Sequence, residues 1–90
     1  MAKDNEENTV FIGDKGFFNY TTACEKQLED NDDISIKARG KYTSRAIDVL
    51  EYLKREKEID VKSIETDTEK FEGDNDKTVF VSTIEIVVEK

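Results

Sequence analysis

Ile34-Ser35-Ile36-Lys37-Ala38-Arg39-Gly40-Lys41-Tyr42-Thr43-Ser44-Arg45-Ala46-Ile47-Asp48 reads as strand, turn and helix in succession. Ile34, Ile36 and Ala38 alternate with Ser35, Lys37 and Arg39, the period of a half-buried strand. That alternation predicts the two isoleucines facing a core while Lys37 and Arg39 leave the other face together. Gly40 ends the strand, and Thr43 or Ser44 is the expected N-cap of the apolar-periodic run that follows. Lys37, Arg39, Lys41 and Arg45 all fall in this window before its first carboxylate, Asp48. Cations at a strand end, a glycine turn and a helix N-terminus together predict a phosphate-sized anion site.

Working outward, Met1 to Asn8 is expected to be a flexible tail, leaving residues 9–90 as one domain. Thr9-Val10-Phe11-Ile12 is a short β-branched and aromatic run stopped by Gly13, hence a first strand. Asp14-Lys15-Gly16 is a turn. Tyr20, Cys24 and Leu28 recur at i, i+4, i+8 with Ala23 beside them, which predicts a helix of about three turns. Glu29-Asp30-Asn31-Asp32-Asp33 closes it, and carboxylates at a helix C-terminus oppose the macrodipole and favour fraying. Beyond the central stretch, Ala46, Leu50 and Leu53 form the apolar stripe of a second helix, flanked by Ile47, Val49 and Tyr52. Glu51 and Arg55 are an expected i, i+4 pair on its wet face. Ile59 to Phe71 is a third strand whose alternation changes phase near Ser63-Ile64, the mark of a bulge. Glu72-Gly73-Asp74-Asn75-Asp76 is a hairpin turn. Thr78 to Val88 is the last strand, with Phe80, Ser82, Ile84, Ile86 and Val88 on one face. The order is βαβαββ, an α/β chain of the two-layer α+β sandwich kind, with a four-stranded mixed sheet and two helices on one face.

Composition narrows the chemistry. Acids number 22 against 14 bases, a formal net charge of −8, and 40% of residues are charged. A negative balance works at long range against nucleic acid, but at physiological salt the screening length is about 8 Å, so local charge governs contact. One cysteine, Cys24, cannot form an internal disulfide and fits a reducing, cytoplasmic setting. No apolar run approaches bilayer length, and the polar, acidic Met1–Glu7 is neither signal peptide nor anchor. Histidine is absent, which removes the usual general base and the commonest metal ligand. Ser44 therefore has no base to activate it and is expected as a cap or phosphate contact. The acidic clusters Glu29–Asp33 and Asp74–Asp76 lack the ligand spacing of a calcium loop. No catalytic residue, metal, cofactor or small-molecule substrate is expected. Tyr20 and Cys24 are expected to pack in the core, while Tyr42 is open between packing and base stacking.

Three pieces of sequence carry a resemblance: Thr9-Val10-Phe11-Ile12-Gly13 with Asn19-Tyr20 after it, Ile36–Lys41 running through Ser44–Asp48, and Val81–Ile86 in the last strand. Together with the element order they resemble the Alba family of small archaeal chromatin proteins, over nearly the whole chain from Asn8 onward. The resemblance implies a homodimer that binds double-stranded DNA, and RNA as well, with little sequence preference, in the cytoplasm and on the chromosome. It also implies that the central cationic loop lies on the phosphate backbone and that the β3–β4 hairpin reaches towards a minor groove. Carried over by position, Lys37, Arg39 and Lys41 match the family's basic cluster, Arg45 a basic position in the first turn of the second helix, and Lys15 the second of two adjacent loop lysines. Asp14 replaces the first of those lysines, Gly16 a proline, and Glu56 and Lys57 an arginine and a phenylalanine. The hairpin tip is acidic except for Lys77.

Two rival functions accompany this one. An RNA-directed role, as in ribonuclease P subunits of the same superfamily, would favour A-form or folded RNA. An acidic protein-interaction module would instead form a heterodimer with a basic relative.

Overall fold

The strand period sets the layers. In a computed structural model describing residues 8–73, 75 and 77–90, the elements are β1 (Thr9–Phe11), α1 (Phe17–Asp30), β2 (Asp33–Arg39), a 3-10 turn (Gly40–Tyr42), α2 (Thr43–Glu56), β3 (Asp60–Glu72) and β4 (Thr78–Glu89). The sheet order is β1-β2-β4-β3. β1 is parallel to β2, and β4 runs antiparallel to both of its neighbours, so the sheet is mixed as expected. Val10, Ile34, Ile36, Ala38, Ile84, Ile86 and Val88 are buried on one face. Tyr20, Cys24 and Leu28 of α1 and Ala46, Val49, Leu50 and Leu53 of α2 close over them. Among the described residues, no helix covers the other face, which carries Phe11, Lys37 and Arg39.

Several details depart from the sequence reading. Regular pairing of β1 stops at Phe11, although the Ile12 N–H still donates to the Lys37 carbonyl at 2.8 Å. Asn8, placed in the tail by composition, accepts a hydrogen bond from the Ser35 N–H at 2.8 Å. The rest of the expected tail lies outside the described residues. α1 is longer than three turns, starting at Phe17, whose ring meets Phe18 and Tyr52 edge-on at centroid distances of 5.1 and 5.7 Å. Its acidic C-terminus is closed by Asn31, whose backbone N–H and side-chain Nδ2 both donate to the Gln27 carbonyl at 2.9 Å. In α2 the fully buried Val49 belongs to the stripe, whereas Ile47 beside it is exposed. Glu51 pairs with Lys54 one turn away, not with Arg55.

The phase change in β3 is a bulge. Val61 is opposite Val88 and Ser63 is opposite Val87, so Lys62 is the extra residue. Beyond it the β3–β4 hairpin outruns its neighbours. β2 pairs only with Thr83 to Glu89, so Thr78–Ser82 and Thr68–Glu72 project as a two-stranded arm roughly 16 Å long. The expected β4 face splits accordingly: Ile84, Ile86 and Val88 are buried, whereas Phe80 and Ser82, on the arm, are exposed. At the tip Asn75 takes a positive φ of 61°; Asp74 and Asp76 lie outside the described residues.

Candidate nucleic-acid interface

The β1–α1 loop is fixed from two sides. Its Gly13 and Lys15 N–H groups donate to the Tyr20 hydroxyl at 2.9 and 3.0 Å. The carbonyl oxygens of the same two residues accept from Arg45 Nη1 at 3.0 and 2.8 Å. Every polar backbone group of Gly13 and Lys15 is thereby paired, and the exposed Lys15 side chain projects from a rigid turn. Tyr20 is buried, as expected, but its hydroxyl also organises this loop.

Lys41 sits across from that loop. The turn that carries it is possible because Gly40 adopts φ +60°, a left-handed conformation that costs glycine little. The chain then winds through Gly40–Tyr42 straight into α2. Thr43 donates both its N–H and its hydroxyl to the Gly40 carbonyl, the hydroxyl at 3.1 Å. The residue at the N-cap position is Tyr42, and no side chain caps the helix. The expected cap by Thr43 or Ser44 is therefore absent, because the 3-10 turn already provides the carbonyl that a cap would replace. Lys41 Nζ lies 5.4 Å from the centroid of the Tyr42 ring, which packs partly against the core. Lys41, Tyr42, Ser44 and Arg45 line one shallow concavity together with Asp14 and Asp48.

Lys37 and Arg39 stand elsewhere, on the open face of the sheet. Lys37 Nζ is 5.9 Å from the Phe11 ring centroid, and the Arg39 guanidinium is 5.3 Å from that of Phe71. Arg39 Nη2 forms an ion pair with Glu69 Oε1. Strand pairing sets Lys37 in one row with Glu85 and Glu65, and Arg39 in one row with Thr83 and Asp67. The window without carboxylates in the sequence thus acquires them from β3 and β4 in space. The five expected residues do not form one cluster. Lys41 and Arg45 line the concavity at the loop edge, and Lys37 and Arg39 stand on the sheet. The Lys15 turn is tied to Arg45 through its carbonyl, while Lys15 borders a separate hollow with Asn19 and Tyr20. Among the described residues Lys15, Lys37 and Lys41 are in no ion pair. Glu69 was not singled out from sequence, although Glu65, Asp67 and Glu69 recur at the strand period.

Among the described residues, no group of three or more Cys, Asp or Glu is arranged to hold a metal ion, and no helix is long and apolar enough to cross a membrane. Residues 8–68 match the sequence profile of the family described as Alba. The chain is 39% identical over 88 residues to the DNA/RNA-binding protein Alba of Methanococcus maripaludis, covering 93% of this chain and 99% of that one. It is 43% identical over 91 residues to the protein of the same name from Methanoculleus marisnigri, covering 98% and 96%. The solved structure of Alba from Thermoplasma volcanium superimposes with a TM-score of 0.79 at 38% identity, over 92% of this chain and all of that one. Both sequence relatives are named for binding nucleic acid and neither for catalysis. With the profile matching over residues 8–68 and the sequence relatives and solved fold agreeing over more than nine tenths of the chain, the chain belongs to the Alba family.

Proposed function

We propose that the chain is a nonspecific DNA- and RNA-binding chromatin protein, associated with the chromosome, that works as a two-fold dimer. The observation that carries this reading is the cross-tied loop edge, where Arg45 joins the Lys15 turn to the Lys41 turn. Two cations held on rigid turns meet phosphate oxygens with little ordering cost, and such contacts carry no base information. The two relatives named above as DNA/RNA-binding support the same ligand class. Lys37 and Arg39 add to the contact where they can be freed from the carboxylates around them.

Exposed apolar side chains support dimerisation. On the helix side of the sheet, Ile64 of β3 and Phe80 of β4 are 53% and 66% exposed, and Ile47 on the neighbouring α2 is 44% exposed. A second copy related by a two-fold axis would cover all three at once and set the two loop edges apart along a duplex. A basic relative in the partner's place would give the heterodimer instead.

The test is a salt-titrated binding curve on DNA and on RNA. If a dimer neutralises roughly six phosphates, log affinity falls against log salt with a slope near −5 on duplex DNA. The Lys15→Ala/Lys41→Ala double variant is expected to flatten that slope and to weaken binding on every sequence alike. Equal binding by this variant and the unmodified protein would refute the loop edge as the contact surface. A strong preference for structured RNA over duplex DNA of equal length would favour the RNA-directed reading.

A further inference from the structure

On the reading that this chain binds phosphate backbones, we propose that Glu69 is a built-in competitor for phosphate at Arg39, so that the carboxylates of the open sheet face set the affinity. Arg39 and Lys37 leave the same face of β2, where a backbone phosphate would have to approach them. That place is already supplied with anions from its own chain. Glu69 Oε1 is bound to the Arg39 guanidinium. Glu85 stands directly opposite Lys37, with Glu65 opposite Glu85 in turn, and Asp67 continues the row between Glu65 and Glu69. A carboxylate and a phosphate oxygen offer a guanidinium the same planar, charge-assisted bonds. Nucleic acid can therefore use Arg39 only by displacing Glu69. The Phe71 ring, 5.3 Å from the Arg39 guanidinium, holds it over the arm and keeps it within reach of that competitor.

The pair is weak enough to be displaced. Both side chains are about half exposed, 56% for Arg39 and 49% for Glu69, and exposed ion pairs contribute little in water. Closely spaced duplex phosphates would outbid a single carboxylate, whereas isolated anions would not. Glu69 would thus narrow binding to dense polyanions without removing it.

Fluorescence anisotropy on a labelled DNA duplex, over a range of salt concentrations, tests this with Glu69→Gln, Arg39→Ala, their combination, and Glu58→Gln. Glu58→Gln makes the same charge change on the exposed segment before β3, at the other end of the sheet from Arg39. Glu69→Gln is expected to tighten binding about two- to fivefold for each protomer engaged, more than Glu58→Gln does. It is also expected to steepen the log–log salt slope by roughly 0.9 for each recovered contact. In the Arg39→Ala background the gain should fall to that of Glu58→Gln. Equal gains from Glu69→Gln and Glu58→Gln, or a Glu69→Gln gain undiminished without Arg39, would overturn the competitor while leaving nucleic-acid binding intact. Absence of binding by all four variants and the unmodified protein at low salt would instead remove the function on which the competitor rests, and the competitor with it.

Discussion

Arg45, in the first turn of α2, donates to the carbonyl oxygen of Lys15 at 2.8 Å across thirty residues of chain, and the same nitrogen reaches Gly13. The acid-free window and the resemblance both made Arg45 an expected phosphate contact. Its geometry makes it a brace that positions Lys15, while it also lines a concavity together with Lys41. Arg45→Ala is therefore expected to cost about 1 kcal/mol of stability, which lowers the melting temperature of a domain this size by about 4–8 °C. It should also weaken nucleic-acid binding more than Lys15→Ala does. Arg45→Lys retains the charge but lacks the planar fork, so it should recover only part of the binding. Full recovery by lysine would show that charge alone matters there.

From the other side of the loop, the Tyr20 hydroxyl accepts two backbone N–H groups. Tyr20→Phe keeps the buried ring and removes both acceptor contacts, leaving two part-buried donors to find water. The expected cost is about 1–2 kcal/mol, measured by denaturant titration. Amide exchange at Gly13 and Lys15 should accelerate more than exchange in β2. Unchanged exchange at those two amides would mean that Arg45 alone holds the loop.

What the sequence disclosed and what it withheld follow from the range of the interactions. The alternation from Ile34 to Arg39 was sufficient to send Lys37 and Arg39 to one face and to bury Ile34, Ile36 and Ala38, because side-chain direction in a strand is local. The bulge at Lys62 was visible for the same reason, as a phase change in its neighbours. Glu69 pairing with Arg39 was not visible, because it depends on β4 lying between β2 and β3, a fact of topology. Nor could alternation distinguish Phe80 from Ile84. Both point to the same side of β4, but the helices cover only the end nearer Val88, so one is exposed and the other is buried. Arg45 was assigned from its charge, whereas its partners are backbone carbonyls that no residue type announces.

The exposed apolar side chains on the helix side of the sheet give a prediction about assembly. Phe80, Ile64 and Ile47 are large apolar side chains exposed by 66%, 53% and 44%, and burying each between two copies stabilises association by about 1–2 kcal/mol. Phe80→Glu is expected to shift the protein from dimer to monomer in light scattering at micromolar concentration. Its circular dichroism should be unchanged, since Phe80 is mostly exposed and lies on the projecting arm. Binding to duplex DNA should weaken and its salt slope should roughly halve, because one protomer offers half the phosphate contacts. A variant that remains dimeric would place the interface on another surface.

Cys24 supplies a pH-dependent prediction that is independent of nucleic acid. Its side chain is fully buried on α1 against the sheet, and its thiol is pushed up from 9.0 to about 12, first by burial and then by the neighbouring Glu25 carboxylate. Between those two values the unfolded chain releases the thiol proton while the native chain keeps it. The native state then binds more protons than the unfolded state, so unfolding free energy falls as pH rises, by up to about 1.4 kcal/mol per pH unit. Below pH 9.0 both states hold the proton and the contribution disappears. Cys24→Ala should lose a roughly constant amount of stability at neutral pH through the small cavity it leaves, but its stability curve should decline less steeply above pH 9.0. The thiol should also resist iodoacetamide in the native protein and react once denaturant opens the core. Parallel stability curves for the two proteins through the alkaline range would show that the thiol ionises as readily in the native state as in the unfolded one.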